Sequence, residues 1–287
     1  MPTVTTNVAK LYGRIAELEN RRLADHPMER EITLRAIRKG LASASGTAPK
    51  RIADIGGGPG KIAFALADEG HEVDLIDLTP DLIELAKVEQ HKREIAGDKP
   101  LLRSIAVGNA LDKSPLTEDS YDAVLLLGPL YHLMEESERA MAVSHALNLA
   151  KPGNGLVFVA FVTIDAHLRD IAMRNPGKII EYKDFYSRYL SDGRYEKSEP
   201  GQAKTVQSFH TRPDNIRAFF SKHFPETLDL VELRSTEGIL GGGLDATLAK
   251  SSDEIVQAWA DLLFDSYSTN EHHLGCADHI LATLRRR

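Results

Sequence analysis

Two acidic residues and three glycines are spaced along the chain in a way that can bind a nucleoside. Asp54 lies within the apolar segment 51–55, and Asp77 ends the next apolar segment, 72–77. Three glycines follow the first acid at alternate positions: Gly56, Gly58 and Gly60. Glycine permits backbone dihedrals that a side chain forbids, and it lets a ligand approach the main chain closely. An acid at the carboxyl edge of a parallel sheet can accept both hydroxyls of a ribose. The set therefore predicts a nucleoside-binding turn between two strands.

The charge beside this turn distinguishes between two kinds of nucleoside. A dinucleotide fingerprint, G-x-G-x-x-G/A, can be laid over Gly58, Gly60 and Ala63, so an NAD(P)-dependent oxidoreductase stays an alternative. Asp54, however, precedes the turn at a position where a carboxylate would repel a pyrophosphate and attract a cation. S-adenosylmethionine carries an ammonium and a sulfonium but no phosphate. The chain also has no Tyr-x-x-x-Lys pair, which weakens the short-chain dehydrogenase interpretation. The pattern favours the methyl donor.

The elements that must position these residues are predicted from the alternation of apolar strands with amphipathic helices. Five apolar segments predict strands, at 51–55, 72–77, 101–107, 121–127 and 155–163. Helices are predicted between them, which implies a parallel sheet with right-handed crossovers. Two later strands, at 228–235 and 279–284, complete the sheet. The predicted fold class is α/β, with a doubly wound, seven-stranded, mostly parallel sheet.

Four regions are predicted along the chain: an N-terminal helical lid (1–45), a donor-binding core (46–163), an inserted acceptor-binding cap (164–222) and C-terminal strands that complete the sheet (223–287). Tyr12 in the lid is a candidate to close over the donor, because tyrosine seals an apolar pocket while leaving a polar tip. A core position for this tyrosine is an open alternative. The cap is predicted to be mostly helical, and its four tyrosines favour a flat or cationic acceptor.

Composition narrows the class of protein. With 287 residues the chain can form one large α/β domain with a lid or cap. It has a single cysteine, Cys276, which excludes an intramolecular disulfide and is expected of a cytoplasmic protein. The net charge of −7 lowers the expectation of a nucleic-acid partner. No apolar stretch approaches the roughly 20 residues that span a bilayer, so no membrane association is expected. A homodimer is a further prediction.

The most distinctive stretch, 127–133, reads LGPLYHL and follows the fourth predicted strand, beside the crevice where α/β sheets bind ligands. Together with the acids and glycines above, it resembles the class I S-adenosylmethionine-dependent methyltransferases, and in particular a bacterial group that acts mostly on small molecules. The resemblance covers nearly the whole chain, from the region around Tyr12 to the closing segment 274–281. It implies the Rossmann-like methyltransferase fold, S-adenosylmethionine as the cofactor and S-adenosylhomocysteine as its product.

The resemblance also implies roles for individual residues. In the donor site, Asp54 binds the ammonium and Asp77 the ribose. Further donor contacts are implied for Leu78, Asn109, Ala110, Leu127 and Gly128, the last two through backbone atoms. Asn109 stands where these enzymes often carry Asp beside the adenine amino group, and its amide oxygen can accept the same hydrogen bond without a charge. Tyr131 and His132 face the transferred methyl, with Tyr131 orienting the acceptor.

For methyl transfer, the protein must align the acceptor with the methyl donor. It must also supply a base where the acceptor has to lose a proton. His132 is the predicted base, worth roughly 10²–10⁴-fold in rate; that it only packs against the next helix is an equally open alternative. Three other polar residues could line the acceptor pocket, although a structural role is open for each: Asp165, His210 and Glu237. No metal site is predicted, since His272 and His273 lack the i, i+4 spacing of a helical metal pair.

The predicted function is transfer of a methyl group from S-adenosylmethionine to an N, O or C atom of a small, aromatic or amine-bearing metabolite, in secondary metabolism. Three alternatives stay open: the NAD(P)-dependent oxidoreductase, a methyltransferase acting on protein or RNA, and a binding protein that has kept the fold without the chemistry.

Overall fold

The structure is a computed structural model that describes residues 25–43, 49–97, 100–197 and 206–287. Nine strands lie in this part of the chain: β1 (Arg51–Ile55), β2 (Glu72–Asp77), β3 (Ser104–Val107), β4 (Ala123–Leu126), β5 (Leu156–Thr163), β6 (Arg194–Lys197), β7 (Val206–Thr211), β8 (Leu228–Ser235) and β9 (His279–Arg286). The α-helices are α1 (Pro27–Ser43), α2 (Lys61–Asp68), α3 (Pro80–Ala96), α4 (Glu136–Leu149), α5 (Ile164–Arg174), α6 (Lys178–Glu181), α7 (Lys183–Asp192), α8 (Pro213–His223) and α9 (Asp253–Ser266).

The central sheet has the predicted doubly wound topology. Strands β3, β2, β1, β4 and β5 lie side by side in parallel, in that order. Strand β9 pairs antiparallel with β5, and β8 pairs antiparallel with β9. These seven strands confirm the predicted fold class. The strand order reverses between β1 and β4, and a crevice opens at their carboxyl ends, where such sheets bind ligands.

Hydrophobic clusters cover both faces of the sheet. One cluster joins β4, β5 and β9 to α4 and α8, and the other joins β1 and β2 to α1, α2 and α3. Helix α1 begins at Pro27, since proline is well suited to a first helical turn. Its residues Leu34, Ile37 and Leu41 pack in the second cluster, so this helix is fixed to the sheet. Nowhere in the described ranges is a helix both long and apolar enough to cross a membrane.

The cap begins with helices α5, α6 and α7, as predicted, but a hairpin formed by β6 and β7 follows them that the sequence did not predict. Helix α7 ends at Gly193, whose φ of 69° a side chain rarely adopts, and β6 starts at the next residue. Strand β7 then pairs with the tip of β5, with His210 opposite Val162. Tyrosine and charged residues occur in both helices and strands, so the composition of this segment does not predict the hairpin.

Candidate active site

A cleft of about 1320 Å³, its open mouth included, lies at the carboxyl ends of β1 and β4. Its donor half is lined by Asp54, Gly56, Gly57, Gly58, Asp77, Leu78, Asn109, Ala110, Leu127 and Gly128. The other half is lined by Glu29, Arg30, Thr33, Tyr131, His132, Ala160, Thr236 and His279. Most of the residues predicted from the sequence to bind the donor or face its methyl group therefore meet in one cavity.

Asp54 is the most unusual residue of the cleft. Its side chain is 1% exposed, and neither carboxylate oxygen has a hydrogen-bond partner within the described residues. Burial, with a smaller contribution from the nearby charge of Asp77, raises the pKa of Asp54 to about 7. A buried carboxylate without a partner is costly, because it has lost its water and gained nothing in return. A cationic group in the cleft would satisfy it.

The glycine turn holds the main chain close to this carboxylate. The N–H groups of Gly56 and Gly57 both donate to the Ile76 carbonyl, at 2.6 and 3.3 Å. Gly56 has a φ of 75°, and a Cβ there would lie 2.5 Å from Pro129 Cγ. A Cβ at Gly57 would overlap the Asp54 carboxylate. The turn therefore tolerates only glycine where the chain passes between Asp54 and Pro129.

Gly60, predicted to contact the donor, does not line the cleft. It is the residue that precedes α2, with a φ of 81°, and a Cβ there would come within 3.2 Å of Leu75 and Phe64. Its role in the structure is to let the turn enter the helix against the core. The spacing of the three glycines alone does not distinguish this from a ligand contact.

Asp77 lies at the end of β2 and is oriented by two backbone groups. Its Oδ2 accepts from the Gly58 N–H at 2.8 Å, and its Oδ1 accepts from the Thr79 N–H at 2.7 Å. Thr79 occupies the N-cap position of α3 but makes no side-chain capping bond. Asp77 thus ties the glycine turn to the start of the helix, and a carboxylate at this edge of the sheet is a group that accepts hydrogen bonds from ribose hydroxyls.

Asn109 lies in the cleft, after β3, with its amide oxygen already in use. Oδ1 accepts from the Leu111 N–H at 3.1 Å. The predicted bond from an adenine amino group would have to share this oxygen, whereas the amide N–H₂ is the group with donors to offer. Ala110 and Leu127 provide apolar lining beside it.

Tyr131 and His132 lie on a short 3₁₀ turn, Pro129–His132, at the boundary between the two halves of the cleft. Their ring centroids are 4.6 Å apart in an edge-to-face arrangement. Burial lowers the pKa of His132 to about 4, and a hydrogen bond with the backbone of Gln207 opposes this shift only in part. His132 is therefore neutral at physiological pH but weakly basic.

Arg139 of α4 anchors the far end of this turn. Its Nη1 donates to the carbonyl oxygens of Leu133 and Met134 at 2.6 and 3.0 Å, and its guanidinium lies 3.5 Å from the ring centroid of Phe209 in β7. Desolvation lowers the pKa of Arg139 to about 10, which keeps it charged at neutral pH. The turn is thus held between the core helix and the cap hairpin.

Three residues predicted for the acceptor pocket lie outside the cleft lining. Asp165 is in the first turn of α5. His210 lies in an aromatic cluster of the cap, where its Nδ1 is 2.6 Å from the Tyr189 hydroxyl, and burial lowers its pKa to about 3. Glu237 lies directly behind His279, which does line the cleft. Tyr12 is outside the described residues.

Neither His279 nor Glu29 was predicted from the sequence to be a site residue. His279 is the first residue of β9, and because β9 is antiparallel to β5, its start lies at the ligand-binding edge. Glu29 comes from the first turn of α1. His279 could have been predicted as a polar residue at the start of an antiparallel strand. That prediction requires the direction of the strand to be known.

Glu29, Glu237 and His279 have potential metal-ligand atoms within 4.8 Å of one another, the one such group within the described ranges. The shortest contact among them, 2.7 Å between His279 Nδ1 and Glu237 Oε1, is a hydrogen bond. This hydrogen bond accounts for the close approach of His279 and Glu237 without a metal ion. The prediction that the protein has no metal site stays a prediction.

The raised pKa of Asp54 predicts that donor binding depends on pH. Binding an ammonium favours the ionised carboxylate, so the carboxyl must release its proton below its free pKa of about 7. We expect the affinity for S-adenosylhomocysteine to weaken by about tenfold per pH unit below that value and to level off above it. Calorimetry in buffers of different ionisation enthalpy should detect about one proton released per ligand at about pH 6. An affinity constant across this range would contradict the prediction.

The sequence of this chain is similar to those of known methyltransferases. Residues 52–153 match a family described as a methyltransferase domain. Glycine N-methyltransferase of Rattus norvegicus is 29% identical over 140 residues, which cover 46% of this chain and 47% of that protein. A ubiquinone biosynthesis O-methyltransferase of Xylella fastidiosa is 30% identical over 143 residues, covering 47% of this chain and 54% of that protein. The chain thus spans about half the length of the curated relatives it matches.

Two solved structures share the fold over nearly all of both chains. Magnesium protoporphyrin IX methyltransferase of Synechocystis PCC 6803, crystallised with bound S-adenosylmethionine, has a TM-score of 0.57 at 13% identity and covers 100% of this chain and 99% of that one. A possible histamine N-methyltransferase of Thermotoga maritima also has a TM-score of 0.57 at 13% identity, over 97% and 99% of the two chains.

The fold is that of the class I S-adenosylmethionine-dependent methyltransferases, as the sequence predicted. Residues 52–153 match the methyltransferase-domain family, and one solved structure with the same fold holds S-adenosylmethionine.

Proposed function

We propose that this protein transfers a methyl group from S-adenosylmethionine to an N, O or C atom of a small-molecule acceptor. The observation that carries the proposal is Asp54: a buried carboxylate with no partner in the described residues faces a cleft that a cation would complete. S-adenosylmethionine, when bound, supplies a methyl carbon already activated by the positive sulfur. A pyrophosphate cofactor would instead place negative charge beside Asp54 and Asp77.

Each part of the donor has a group in the cleft suited to hold it. Asp54 would accept hydrogen bonds from the ammonium, and Asp77 those from the ribose hydroxyls. Gly56 and Gly58 leave the backbone open for close approach. The contribution of the protein to the rate is then mostly alignment of acceptor and donor, which can lower the barrier by about 7–11 kcal/mol.

Tyr131 and His132 would orient the acceptor against the transferred methyl. Both lie on the turn that borders the donor half, directly after Gly128. The low pKa of His132 keeps its ring neutral, so it can accept a hydrogen bond from an acceptor at physiological pH. That it acts as the base, as predicted from the sequence, stays a prediction.

A small acceptor is supported by the relatives, whose names point to glycine and to a ubiquinone precursor as substrates of those proteins. Each matched stretch covers less than half of this chain, so the comparison bears on the donor and not on the identity of the acceptor. The net charge of −7 also disfavours a nucleic-acid acceptor.

Thermal stability in the presence of candidate cofactors tests the proposal. A ligand that binds only the native state raises the unfolding temperature, by an amount that grows with the logarithm of its concentration over Kd. S-adenosylhomocysteine should raise it, whereas NAD and NADP at the same concentration should not. Stabilisation by NAD(P) alone would establish the oxidoreductase alternative. Donor binding without any methylated product from a metabolite extract would identify a binding protein without the chemistry.

A further inference from the structure

Arg139, in the first turn of α4, is a buried cation that bonds to the main chain. It is 5% exposed and forms no ion pair within the described residues. Its Nη1 donates to the carbonyl oxygens of Leu133 and Met134, at 2.6 and 3.0 Å. A charged side chain is seldom fully buried without a partner. These two carbonyl bonds are therefore what compensates the burial of its charge.

The two carbonyls belong to the link between the cleft and α4. Residues 129–132, here called the acceptor turn, carry Tyr131 and His132, and the link that joins this turn to the helix consists of Leu133 and Met134. Both link residues are buried. A buried carbonyl without a hydrogen bond is costly, and one guanidinium nitrogen satisfies both. Without that nitrogen the link would have to turn its carbonyls towards another donor, which would move the acceptor turn.

The flat face of the same guanidinium lies on the cap hairpin. It is 3.5 Å from the ring centroid of Phe209 in β7. Side chains alternate along a strand, so the next residue, His210, points to the other side, where it contacts the Tyr189 hydroxyl. A guanidinium stacked on a buried aromatic ring is fixed in orientation as well as attracted to it. Arg139 therefore joins the acceptor turn to the hairpin.

Two ion pairs also tie the start of α4 to neighbouring elements, but they are exposed to solvent. Glu135, directly before the helix, pairs with Arg194 of β6. Glu136 accepts from Lys222 of α8 at 2.7 Å. Exposed ion pairs contribute little to stability, because water and salt screen them. The buried contacts of Arg139 are therefore the ones that fix this segment.

We propose that Arg139 is a positioning residue for methyl transfer: its bonds to the link hold the acceptor turn against the donor half, and its contact with Phe209 ties that turn to the cap hairpin. The proposal rests on the proposed methyltransferase function and adds a residue that does not line the cleft. In-line transfer requires acceptor atom, methyl carbon and sulfur to be aligned, and a misplacement of about 1 Å can cost about 10²-fold in rate. Arg139 acts on that alignment through Tyr131.

A purely structural role for Arg139 is the rival explanation, and the chain contains a matched control for it. Arg234 of β8 is 2% exposed, its Nη1 donates to the Phe264 carbonyl at 2.7 Å, and its guanidinium lies 3.8 Å from the Phe264 ring centroid. It also forms an ion pair with Glu232. Arg234 is thus a second buried arginine that bonds the main chain and stacks on a ring, but its contacts are with β8 and α9 and it does not line the cleft.

The experiment compares Arg139→Met with Arg234→Met. Transfer of label from S-adenosylmethionine labelled in its methyl group is followed in a dilution series of a metabolite extract, which separates the maximal rate from the half-saturating amount of extract. Rates are expressed per folded molecule, with the folded fraction taken from chemical denaturation. We expect Arg139→Met to lower the maximal rate by about 10²-fold and Arg234→Met to keep it within about twofold of wild type. Both variants should lose stability, and both should keep their affinity for S-adenosylhomocysteine.

Two further variants separate the contacts of Arg139. Arg139→Lys keeps the charge and a donor for the link but cannot stack, and Phe209→Leu removes the ring but leaves the carbonyl bonds in place. We expect each to lower the maximal rate by about 3- to 10-fold, as the loss of one buried cation–π contact does. The double variant Arg139→Met/Phe209→Leu should be no slower than Arg139→Met alone, because both changes act through one contact.

A measurement that needs no acceptor completes the test. The ring NMR signals of Tyr131, assigned with Tyr131→Phe, should shift in Arg139→Met and stay in place in Arg234→Met. Equal rates per folded molecule in these two arginine variants, unshifted Tyr131 signals, or a fall in donor affinity as large as the fall in rate would overturn the inference and keep the proposed function. No labelled product from the wild-type protein would overturn both.

Discussion

Replacing Asp54 with asparagine should weaken binding of S-adenosylhomocysteine by about 10- to 100-fold and, at the same time, stabilise the free protein. The loss follows from removing a charge-assisted hydrogen bond to the ammonium, which is worth about 1.5–3 kcal/mol. The gain follows from the pKa of Asp54, which is about 7 in the folded protein against 3.8 for an ordinary aspartate. Because the folded state holds this proton more tightly than the unfolded chain, native Asp54 costs stability as the pH rises from about 4 to 7.

Whether Asp54→Asn raises or lowers the unfolding free energy shows whether the Asp54 carboxylate is a cost to the free protein. We expect Asp54→Asn to gain roughly 1–3 kcal/mol of unfolding free energy at about pH 8, less than the full shift implies because the amide N–H₂ is also buried. The gain should shrink towards about pH 4, where both proteins are neutral at this position. Chemical denaturation at both pH values measures it, and calorimetry measures the affinity. Destabilisation at alkaline pH would mean that Asp54 has a structural partner.

Replacing Gly56 with alanine should destabilise the free protein by about 2–4 kcal/mol and displace the turn that carries Tyr131 and His132. Its φ of 75° is strained for any residue with a Cβ, at about 1–2 kcal/mol, and the new Cβ would lie 2.5 Å from Pro129 Cγ. Pro129 begins that turn, so relief of the clash moves the acceptor side of the cleft. Turnover should therefore fall more than donor affinity does.

Gly58→Ala separates strain from collision. Gly58 has a φ of 56°, but the nearest atom to its Cβ, Leu82 Cδ1, lies 3.8 Å away. Only the conformational cost, about 1–2 kcal/mol, is expected in the free protein. Denaturation curves and steady-state kinetics of both variants make the comparison. Equal losses of stability, with Tyr131 undisturbed in fluorescence or NMR, would refute the role of Pro129.

The donor half of the site could be predicted from the sequence because it is local. Asp54, the glycines and Asp77 lie within one strand–turn–helix–strand unit, so their spacing in sequence determines their spacing in the fold. Gly60 shows the limit of this argument, since a glycine in the same run serves the core. Asn109 shows another, because its amide oxygen accepts a local backbone bond that composition does not reveal.

The acceptor half could be predicted only in part, because it is assembled from distant segments. Glu237 was a candidate from the sequence, but its partner His279 is 42 residues further on and is brought beside it by the antiparallel pairing of β8 with β9. Glu29 arrives from the N-terminal helix. His210 was expected in the pocket and is instead hydrogen-bonded to Tyr189 inside the cap. Register and strand direction, which single-residue patterns do not contain, decide each of these placements.

Strand β5 pairs with β9 and with the cap hairpin to very different extents, which bears on how such proteins diversify. Its residues Leu156–Val162 pair with β9, whereas the cap hairpin is joined to it at only two positions, Val162 and Thr163. The residues predicted to bind the methyl donor lie on the strands and turns of the central sheet, whereas the cap hairpin pairs with the sheet only at the end of β5. Proteins with this architecture can therefore evolve a different cap, and with it a different acceptor, without changing the part of the sheet that binds the methyl donor.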